Sequence, residues 1–567
     1  MGNKRFFRYL SRGRKYLVIL VILAVLAATV IYPFSSMLID SFRAEGTGQI
    51  SVSNYLEFFN WERTNFEEPF FNSILISLAV TLSSTILGLF LAILFVKYDF
   101  PGRDWMHSLA IIPLVLPGFL VAEAYVLLYG EYGWITRVIQ AMLGLSQPPF
   151  ALEGFLGVFA VETFTFMPLS FLTTSASLSR MDPSLPEMAF SSGASRVRVF
   201  FKVTLPLIIP GILAGAILIF MRSMAAFGIP LFMEYTTLTV SIWRNKVMGM
   251  PYMSTTISVI LTVLSLLFFY VNNRYASSKE YSSVGKGSRR IRKIDNPWAR
   301  WGVTAVVVFV LIVMLLPIPG IFLMSLTELQ NWSVTELLPP YITLKNYKAV
   351  FLSGGKLFKA VRNSLSFASI SALMAMVFGL AVSYFVAWRK SRGSSFVNGL
   401  ATLPLAIPGT VVGIAYIIAF NKSTVFSLGF VLVGTPVIIV LSHFTRLVPY
   451  VIRSTSASFQ QLDGRLEEVG LSLGASWGYV FSRVTFPLVL SGLMAGTIIA
   501  FLSSLAELNS AILLYTPSSI TIPTAIYEMI NSFQIGKASA LGSIQIFLTF
   551  VILIIVNKTI GMKTLRL

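Results

Sequence analysis

Long apolar runs recur along this chain of 567 residues, and they constrain its fold more than any other feature. A run of about 20 apolar residues can cross the ~30 Å hydrocarbon core of a bilayer as one helix. The composition agrees, because only 12% of the residues are charged, about half the fraction in an ordinary soluble protein. We therefore predict an all-α polytopic membrane protein with about 12 transmembrane helices. The predicted spans are 16–38, 70–96, 107–129, 154–174, 207–229, 254–273, 301–325, 363–388, 397–420, 428–450, 488–507 and 538–557.

Basic residues outnumber acidic ones by 43 to 24, and their location indicates membrane topology rather than nucleic-acid binding. With the N-terminus inside, nearly the whole basic excess falls on internal segments, whereas the external segments are balanced. This is the positive-inside pattern of membrane proteins. We therefore expect both termini on the cytoplasmic side and no nucleic-acid partner. The first span follows a basic segment but is longer than the apolar core of a signal peptide, so we expect an uncleaved anchor.

The chain contains one unit twice. Glu187–Ser195 matches Glu468–Ser476 at an offset of 281 residues, and Pro113–Gly118 matches Pro404–Gly409 at an offset of 291. The change of offset places about ten additional residues in the first half, and we expect them in the external stretch 130–150. Each half has six predicted spans, an even number, so both halves should cross the bilayer in the same direction. Parallel repeats of this kind often place a substrate pathway where they meet.

The two halves define the predicted domains. We assign residues 1–275 to a first transmembrane domain and residues 301–567 to a second, joined by a basic cytoplasmic linker at 276–300. The linker combines Arg and Lys with Ser and Gly, a composition typical of flexible segments. Basic residues also bind anionic lipid headgroups, at about 1 kcal/mol each near the surface, so membrane lipid is an expected partner.

An internal loop between the fourth and fifth spans occurs in both halves, at residues 182–206 and 463–487. Each loop begins with an Asp that can cap a helix, and a Glu follows in the first turns, where it interacts favourably with the helix dipole. A Gly then permits a sharp change of direction, and a Pro begins the next membrane helix. We predict in each loop a short helix that lies across the membrane face and offers an apolar edge to a partner. The alternative is a helix that buries this edge among lipid headgroups.

The two loops resemble the EAA loop of the permease subunits of type I, binding-protein-dependent ABC importers. In that family the loop forms the coupling helix that docks on a cytoplasmic ATPase. Gly470 stands where the family usually has Ala, which lowers local helix propensity by up to about 1 kcal/mol. The resemblance implies an ATPase-coupling role for Glu187, Ala189, Gly193, Pro206, Glu468, Gly474 and Pro487.

A fused pair of six-span halves is similar to the ferric-iron importer permeases, and also to the thiamine and 2-aminoethylphosphonate permeases. The segments Phe227–Pro230 and Glu507–Ala511, just after the fifth span of each half, most resemble the iron branch. The resemblance implies the type I ABC importer permease fold and a place in the bacterial cytoplasmic (inner) membrane. It also implies translocation of a small solute, ferric iron being expected, by alternating access, with an extracytoplasmic solute-binding protein as partner.

The sequence contains no ATPase motif. A Walker A loop needs Gly-x4-Gly-Lys-Ser/Thr to hold phosphates, and the nearest segments, 284–288 and 353–357, fail on spacing or on the last residue. We therefore predict that the chain is not an enzyme, has no catalytic residues and binds no cofactor. Two cytoplasmic ABC ATPase subunits would bind ATP and Mg²⁺ and hydrolyse the ATP. The absence of Cys and the presence of only two His also argue against a metal site.

Charged or titratable residues within the predicted spans are candidates for the substrate pathway. An ionised side chain at mid-bilayer costs about 2.5–3.5 kcal/mol on insertion scales, so residues retained there often serve function. No charged residue among them matches another charged residue in the other half, since Glu162 aligns with His443, Arg222 with Ser503 and Arg446 with Thr165, which predicts an asymmetric pathway. The alternative is that they pair with one another near the interface, an explanation that suits Glu162 best. The candidates are Glu123, Arg222, His443, Arg446 and Glu507.

Two other classes of protein were weighed against a permease. An ion-gradient-driven secondary transporter also uses repeats, but it would need a coupling-ion site near the midplane and has no reason to duplicate a cytoplasmic docking loop. An intramembrane enzyme would need a paired nucleophile and base, which the sequence does not offer. The substrate itself is not fixed by these residues.

Overall fold

The structure is a computed structural model that describes residues 17–60, 67–114, 116–277, 292–328, 341–352, 355–388, 393–463 and 465–560. The described chain is predominantly helical, which confirms the predicted all-α class. The first sequence half contains α1 (Leu17–Asp40), α2 (Ser53–Phe58), α3 (Glu67–Lys97), α4 (Arg103–Leu109), α5 (Gly118–Tyr129), α6 (Trp134–Leu143), α7 (Gly154–Arg180), α8 (Ser184–Ser191), α9 (Arg196–Met224), α10 (Gly228–Phe232), α11 (Leu238–Val247) and α12 (Pro251–Ser277).

The second half repeats this series of helices. It contains α13 (Pro297–Leu315), α14 (Pro317–Ser325), α15 (Lys345–Phe351), α16 (Lys356–Val386), α17 (Ser394–Thr402), α18 (Gly409–Phe420), α19 (Pro436–Gln461), α20 (Arg465–Ser472), α21 (Trp477–Leu505), α22 (Ala511–Leu514), α23 (Ile522–Asn531) and α24 (Ile535–Ile560). A short parallel pairing joins Tyr98–Asp99 to Arg292–Lys293, at the end of the predicted linker. Most of that linker, like the basic segment before α1, lies outside the described residues.

Ten helices of the described chain are long and apolar enough to cross a membrane. Two pairs of shorter helices meet the same criteria together, so the described chain offers up to 12 crossings, in agreement with the prediction. The ten are α1, α3, α7, α9, α12, α13, α16, α19, α21 and α24.

The third predicted span of each half, 107–129 and 397–420, is a bent pair of helices and not one continuous helix. In the second half, Ser394–Leu405 and Gly409–Phe420 meet at 107°, and the corresponding pair of the first half meets at 100°. Pro408 stands at this break. Proline has no N–H for a helix and forces the residue before it into an extended conformation, so the helix stops and restarts.

Each bent pair accounts for one membrane crossing, because its flanking helices run in parallel. In α3 and α7, Ser83 Oγ lies 2.7 Å from Thr163 Oγ1, and further along both helices the ring centres of Phe95 and Phe171 lie 5.3 Å apart. Residue numbers thus rise together along the pair, and the chain must cross back once between them. The helices α16 and α19 are parallel in the same way, since the ring centres of Phe378 and Phe444 lie 5.5 Å apart and, further along both helices, Ser383 Oγ donates to the Ile452 carbonyl at 3.1 Å.

Two glycines explain how closely the parallel helices pack. A Cβ on Gly88 of α3 would lie 2.6 Å from Ser170 Cβ, and a Cβ on Gly379 of α16 would lie 2.7 Å from Val451 Cγ1. The two glycines are 291 residues apart and their neighbours 281, the offsets of the repeat. Small residues at these crossings let helix backbones approach, as is common within membranes.

The chain divides into two compact units that are not the two sequence halves. Of the described residues, unit 1 comprises those within Met1–Glu57, Ile242–Thr262 and Tyr347–Met562, whereas unit 2 comprises those within Phe58–Ser241 and Val263–Asn346. Unit 1 therefore contains the chain's first helix together with most helices of the second half. In unit 2, the opening helices of the second half pack with most helices of the first.

In each unit, a buried tyrosine from one sequence half contacts the first helix of the other sequence half. In unit 1, the Tyr416 hydroxyl donates to the Thr29 carbonyl of α1 at 3.0 Å. In unit 2, the Tyr125 hydroxyl lies 3.5 Å from the Val313 carbonyl of α13. The two tyrosines are 291 residues apart, so the repeat preserves this arrangement.

The additional residues of the first half form a helix. The stretch 130–150 holds α6, whereas the matching stretch of the second half has only a 3₁₀ turn at Val425–Ser427. The prediction that the insertion lies between Gly130 and Phe150 agrees with this difference.

Candidate functional site

The first hairpin (residues 182–206) turns the chain from α7 through α8 into α9, within unit 2. The Asp182 carboxylate accepts a hydrogen bond from the backbone N–H of Ser184 at 2.9 Å. This hydrogen bond lowers the pKa of Asp182 below its ordinary value, so the carboxylate is ionised at neutral pH. Gly193 follows with φ of +83°, the left-handed region that favours glycine. Ser195 Oγ then accepts the N–H three residues on, at 3.4 Å, and caps α9.

The second hairpin (residues 463–487) has the same backbone arrangement within unit 1. The Asp463 carboxylate accepts the N–H of Arg465 at 3.0 Å. Gly474 has φ of +87°, and Ser476 Oγ accepts the N–H three residues on at 3.3 Å. The turn at Gly, predicted from sequence, is therefore present in each hairpin. The predicted capping role of Asp182 is wrong, because Pro183 stands at the N-cap of α8 and has no side-chain cap, while Asp182 lies one residue earlier and accepts the N–H of Ser184.

The membrane helix after each hairpin begins earlier than predicted. The sequence suggests that Pro206 and Pro487 begin the fifth spans, but α9 begins at Arg196 and α21 at Trp477. A π turn stands just before each proline, at Phe200–Thr204 in the first hairpin and at the matching position in the second. A proline cannot donate to the carbonyl four residues back and its ring crowds that carbonyl, so a widened turn lets the helix continue through it.

Both short helices present apolar side chains at their surface. No residue of α8 is buried, and the predicted glutamates Glu187 and Glu468 are exposed. Grouped exposed apolar side chains mark surfaces that bind another molecule. The exposed apolar residues include Met188 and Phe190 on α8 and Leu466 and Val469 on α20.

The departure from the EAA pattern at Gly470 has a structural reason. A Cβ at Gly470 would lie 2.9 Å from Val480 Cγ2, closer than side chains normally approach. The second hairpin is packed too tightly at this point for the alanine that the first hairpin carries at Ala189. The glycine does not prevent α20 from forming.

Sequence reasoning missed a buried polar contact in the second hairpin. The Tyr384 hydroxyl donates to Glu467 Oε1 at 3.2 Å and accepts a hydrogen bond from Trp477 Nε1 at 2.7 Å. Glu467 is only 4% exposed, although it adjoins the exposed Glu468. The EAA-type motif does not indicate which of the two neighbouring carboxylates, Glu467 or Glu468, faces the protein interior.

Three of the five candidate pathway residues lie together in unit 1. Arg446 forms an ion pair with Glu507, whose other oxygen accepts the N–H of Ser510 at 3.0 Å. His443 lies one turn from Arg446 on α19, and its Nδ1 lies 2.8 Å from Ser504 Oγ. The pair compensates two charges that would be costly if left unpaired away from water.

The break in the third span brings a glycine against this ion pair. A Cβ on Gly409, the first residue of α18, would collide with the guanidinium of Arg446 and would lie 2.7 Å from Asn509 Cβ. The Pro-Gly that ends the repeated motif at Pro404–Gly409 therefore both bends the span and makes room for the arginine.

The remaining candidates, Glu123 and Arg222, belong to unit 2. Glu123 is buried in α5, whereas Arg222 is exposed near the end of α9. Glu162, for which a structural role was the simpler expectation, is fully buried and accepts a hydrogen bond from the Ser223 hydroxyl.

The repeat relates Glu162 and Ser223 of unit 2 to His443 and Ser504 of unit 1. Both pairs are separated by the same offset of 281 residues. Each joins the fourth span to the fifth through a buried titratable group and a serine. The offset that defines the repeat could have identified both serines, which sequence reasoning did not select.

Comparison with known proteins places this arrangement in a family. Residues 84–279 and 375–558 each match the model for the binding-protein-dependent transport system inner membrane component. The ferric transport system permease protein FbpB of Actinobacillus pleuropneumoniae is 27% identical over 86% of this chain and 71% of its own length. The putative ferric transport system permease protein FbpB 1 of Haemophilus influenzae is 27% identical over 91% of this chain and 80% of its own length.

A third relative resembles one part of the chain. The putative 2-aminoethylphosphonate transport system permease protein PhnV of Salmonella typhimurium is 26% identical over 46% of this chain and 96% of its own length. The two family matches together cover more than half of the chain, with one match in each sequence half. The chain therefore belongs to the family of binding-protein-dependent transport system inner membrane components, as a multi-pass transport subunit of an ABC importer.

Proposed function

We propose that this chain carries ferric iron across the bacterial inner membrane as the permease subunit of its importer. One observation carries the substrate: the two relatives named as ferric transport permeases align with 86% and 91% of the chain, across both sequence halves. A relationship of that extent covers the spans, both hairpins and the polar residues between them, rather than a single shared motif.

The two hairpins are the proposed docking points for the energy source. Two cytoplasmic ABC ATPase subunits would each receive one hairpin, at α8 and at α20, and would hold the ATP and Mg²⁺ that this chain does not bind. Both termini would then lie in the cytoplasm, and an extracytoplasmic solute-binding protein would deliver the solute at the opposite face. Exposed apolar side chains on both short helices support this role, because such a patch favours a partner over water.

Movement of the hairpins would drive alternating access. When the ATPase subunits close, they would displace the two hairpins, and each hairpin continues directly into a fifth span, α9 or α21. Only a short turn, at Gly193 or Gly474, separates each docking helix from its fifth span, so a displacement of the hairpin would reach the membrane helix directly. The predicted domains 1–275 and 301–567, joined by the linker, remain our proposal for the repeats that move.

The ion pair in unit 1 is the proposed contact for the passing ion. Glu507 supplies a carboxylate, the kind of hard oxygen ligand that suits Fe³⁺, and Arg446 neutralises that carboxylate when no cation is present. Competition from the guanidinium would keep the contact weak, as transport requires, because a tight site would retain the ion. His443, Glu123 and Arg222 remain further candidates for the pathway.

Uptake of radioactive ferric iron tests the proposal. Cells that lack this chain should recover uptake when it is restored, and Glu468→Ala with Gly474→Ala should abolish uptake without lowering the amount in the membrane. The matched control is Glu131→Ala with Gly144→Ala, since Gly144 also has positive φ and open space around it but lies outside both hairpins. Normal uptake in the hairpin variant would contradict the coupling role.

A second substrate is supported by the relative named for 2-aminoethylphosphonate transport, which aligns over 46% of this chain. Arg446 would then be the primary contact, because a guanidinium binds phosphonate oxygens in two parallel hydrogen bonds. Uptake of labelled 2-aminoethylphosphonate in the same cells distinguishes the two substrates. Uptake of the phosphonate with no uptake of ferric iron would replace the proposed substrate and leave the permease assignment in place.

A further inference from the structure

The polar contact of the second hairpin joins Glu467 and Trp477 of the hairpin to Tyr384 of α16, and the first half differs at all three positions. At the offsets of the repeat, Tyr384 corresponds to Ile93 of α3, Glu467 to Pro186, and Trp477 to Arg196. The first half cannot reproduce the contact, because isoleucine and proline side chains have no polar atoms. The backbone conformations of the two hairpins match, but the side-chain contacts that attach α8 and α20 to the neighbouring helices differ.

The attachment in the second hairpin is a buried aromatic and polar cluster. The Tyr384 ring lies 5.9 Å from the ring of Phe459, 5.9 Å from that of Trp477 and 5.3 Å from that of Phe481, measured between centres. Its hydroxyl links the Trp477 indole N–H to the Glu467 carboxylate. One side chain of α16 thus contacts α20, α19 and the start of α21 together.

The end of α16 is shaped for this contact. Tyr384 begins a π turn, Tyr384–Trp388, whereas the matching helix of the first half, α3, continues as a regular α-helix to Lys97. A π turn inserts one additional residue and rotates the side chains that follow, and such turns are frequent at functional positions.

The short helix of the first hairpin has no buried polar contact of this kind. This helix, α8, has no buried residue, whereas α20 buries Glu467. The Lys97 ammonium at the end of α3 lies 5.9 Å from the centre of the Phe200 ring, a contact that does not involve α8 itself. Movement of α20 therefore requires the buried contact of Glu467 to break, whereas movement of α8 requires no such step.

We infer that Glu467, Tyr384 and Trp477 form a clamp that fixes the second docking helix to the second span of its own half. This inference rests on the proposed function. The clamp makes the two ATPase-docking elements mechanically unequal: α20 moves as one body with α16, α19 and α21, while α8 has freedom to adjust. Tyr384 is a positioning residue, since it acts through Glu467 and Trp477 and has no proposed contact with the solute.

Hydrogen exchange of the full chain in lipid nanodiscs, without any ATPase, tests the clamp independently of transport. Amides of α20 should exchange about tenfold more slowly than those of α8, as expected when a buried hydrogen bond to a charged group must break first. Tyr384→Phe should remove that protection and leave α8 and α24 unchanged. Tyr479→Phe is the matched control, because its ring is 61% exposed on the same hairpin.

Rescue by a conservative variant separates the hydrogen bond from general packing. Glu467→Gln keeps an oxygen that accepts from Tyr384 and should retain the protection of α20, whereas Glu467→Ala should lose it. Equal exchange of α8 and α20 in the parent chain, or unchanged protection of α20 in Tyr384→Phe, would overturn the clamp.

The effect of the clamp on transport can be measured in proteoliposomes that contain the whole importer. The quantity to measure is the ratio of ATP hydrolysed to solute imported. Tyr384→Phe should raise this ratio severalfold, because uptake falls while hydrolysis continues. Without the clamp, α20 can move on its own, so its displacement no longer moves α16. An unchanged ratio in a fully transporting complex would contradict the clamp alone. Absence of uptake by the parent complex with either proposed solute would instead contradict the proposed function.

Discussion

At the scale of single residues, both halves have a buried polar contact between the fourth and fifth spans, but the titratable group in that contact differs. Ser223 and Ser504 occupy matching positions on the fifth spans, but one faces a carboxylate, Glu162, and the other an imidazole, His443. In unit 1 the imidazole lies one turn from Arg446, which pairs with Glu507 just after α21. The matching positions of the two halves therefore hold different titratable groups, and the asymmetric pathway stays a prediction.

Removal of one partner of that ion pair should destabilise the protein more than removal of both. Arg446→Ala should lower the free energy of unfolding by about 3–5 kcal/mol, because it leaves the Glu507 carboxylate buried without its counter-ion. The double variant Arg446→Met with Glu507→Leu should recover most of that loss but should not restore iron uptake. Thermal unfolding in detergent checks the stability, and an Arg446→Ala variant as stable as the parent would contradict the structural role.

Which residues could be identified from sequence depended on whether the information was local. Glu187, Glu468 and the two turn glycines stand in a linear motif that occurs twice, so spacing alone locates them. The pairing of Arg446 with Glu507 joins two separate spans, and no spacing along the chain predicts it. Glu467 was missed because adjacent residues of a helix point about 100° apart, and the motif does not reveal which one faces the protein.

At the scale of elements, prolines and glycines decide where the helices bend, widen and turn. Hydropathy located the spans, since a window of about 20 residues measures membrane-crossing length well. The same averaging concealed the bend at Pro408, because apolar residues continue on both sides of it. The start of α21 was placed at Pro487 because proline favours the first turn of a helix, whereas a π turn lets this helix continue through the proline from Trp477.

The turn glycines give a prediction at this scale. Gly193→Ala or Gly474→Ala should cost about 1–2 kcal/mol of local stability, because an L-residue is strained at positive φ. No atom lies within 4 Å of either Cβ position, so the effect is one of backbone conformation alone. Asn at either position should be tolerated better than Ala, since it visits this region more readily.

Iron uptake by the four single variants, normalised to the amount of chain in the membrane, checks this prediction. The expected order is parent, then Asn variants, then Ala variants. Equal uptake by Ala and Asn variants, both below the parent, would mean that the glycines serve close approach of a partner instead of a left-handed turn.

At the scale of the whole molecule, the repeat in sequence and the compact unit in space are different divisions of the chain. Unit 1 holds α1 beside α18, where the Tyr416 hydroxyl donates to the Thr29 carbonyl. The sequence revealed the repeat because matching motifs keep a constant offset. The sequence could not reveal that each unit contains the first helix of the other sequence half. The apolar residues on a helix surface show that the helix packs against something, but they do not identify which helix it packs against.

This division predicts how the two sequence halves behave when separated. Residues 301–567 expressed alone lack α1, so Tyr416 loses its contact with the Thr29 carbonyl and the apolar surface that α1 covers is exposed. We expect rapid degradation of either half alone and recovery of both when 1–275 and 301–567 are expressed together. Immunoblots of membranes from cells with one or both fragments check this, and a second half that accumulates normally alone would contradict it.

The central claim is that both hairpins face the cytoplasm and are open to a separate ATPase. The chain has no cysteine of its own, so a single introduced cysteine reports its own position without interference. Met188→Cys on α8 and Val469→Cys on α20 place a thiol at exposed positions of the two docking helices. Met142→Cys on α6 is the control, since that position is also exposed and belongs to the predicted external stretch.

Labelling by a membrane-impermeant maleimide, applied to right-side-out and to inside-out vesicles, is the most direct test of this claim. Positions 188 and 469 should label only in inside-out vesicles, and position 142 only in right-side-out vesicles. Addition of the cognate ATPase subunits should protect 188 and 469 and leave 142 reactive. Labelling of either hairpin from the outside, or failure of both hairpins to label from the inside, would contradict the account.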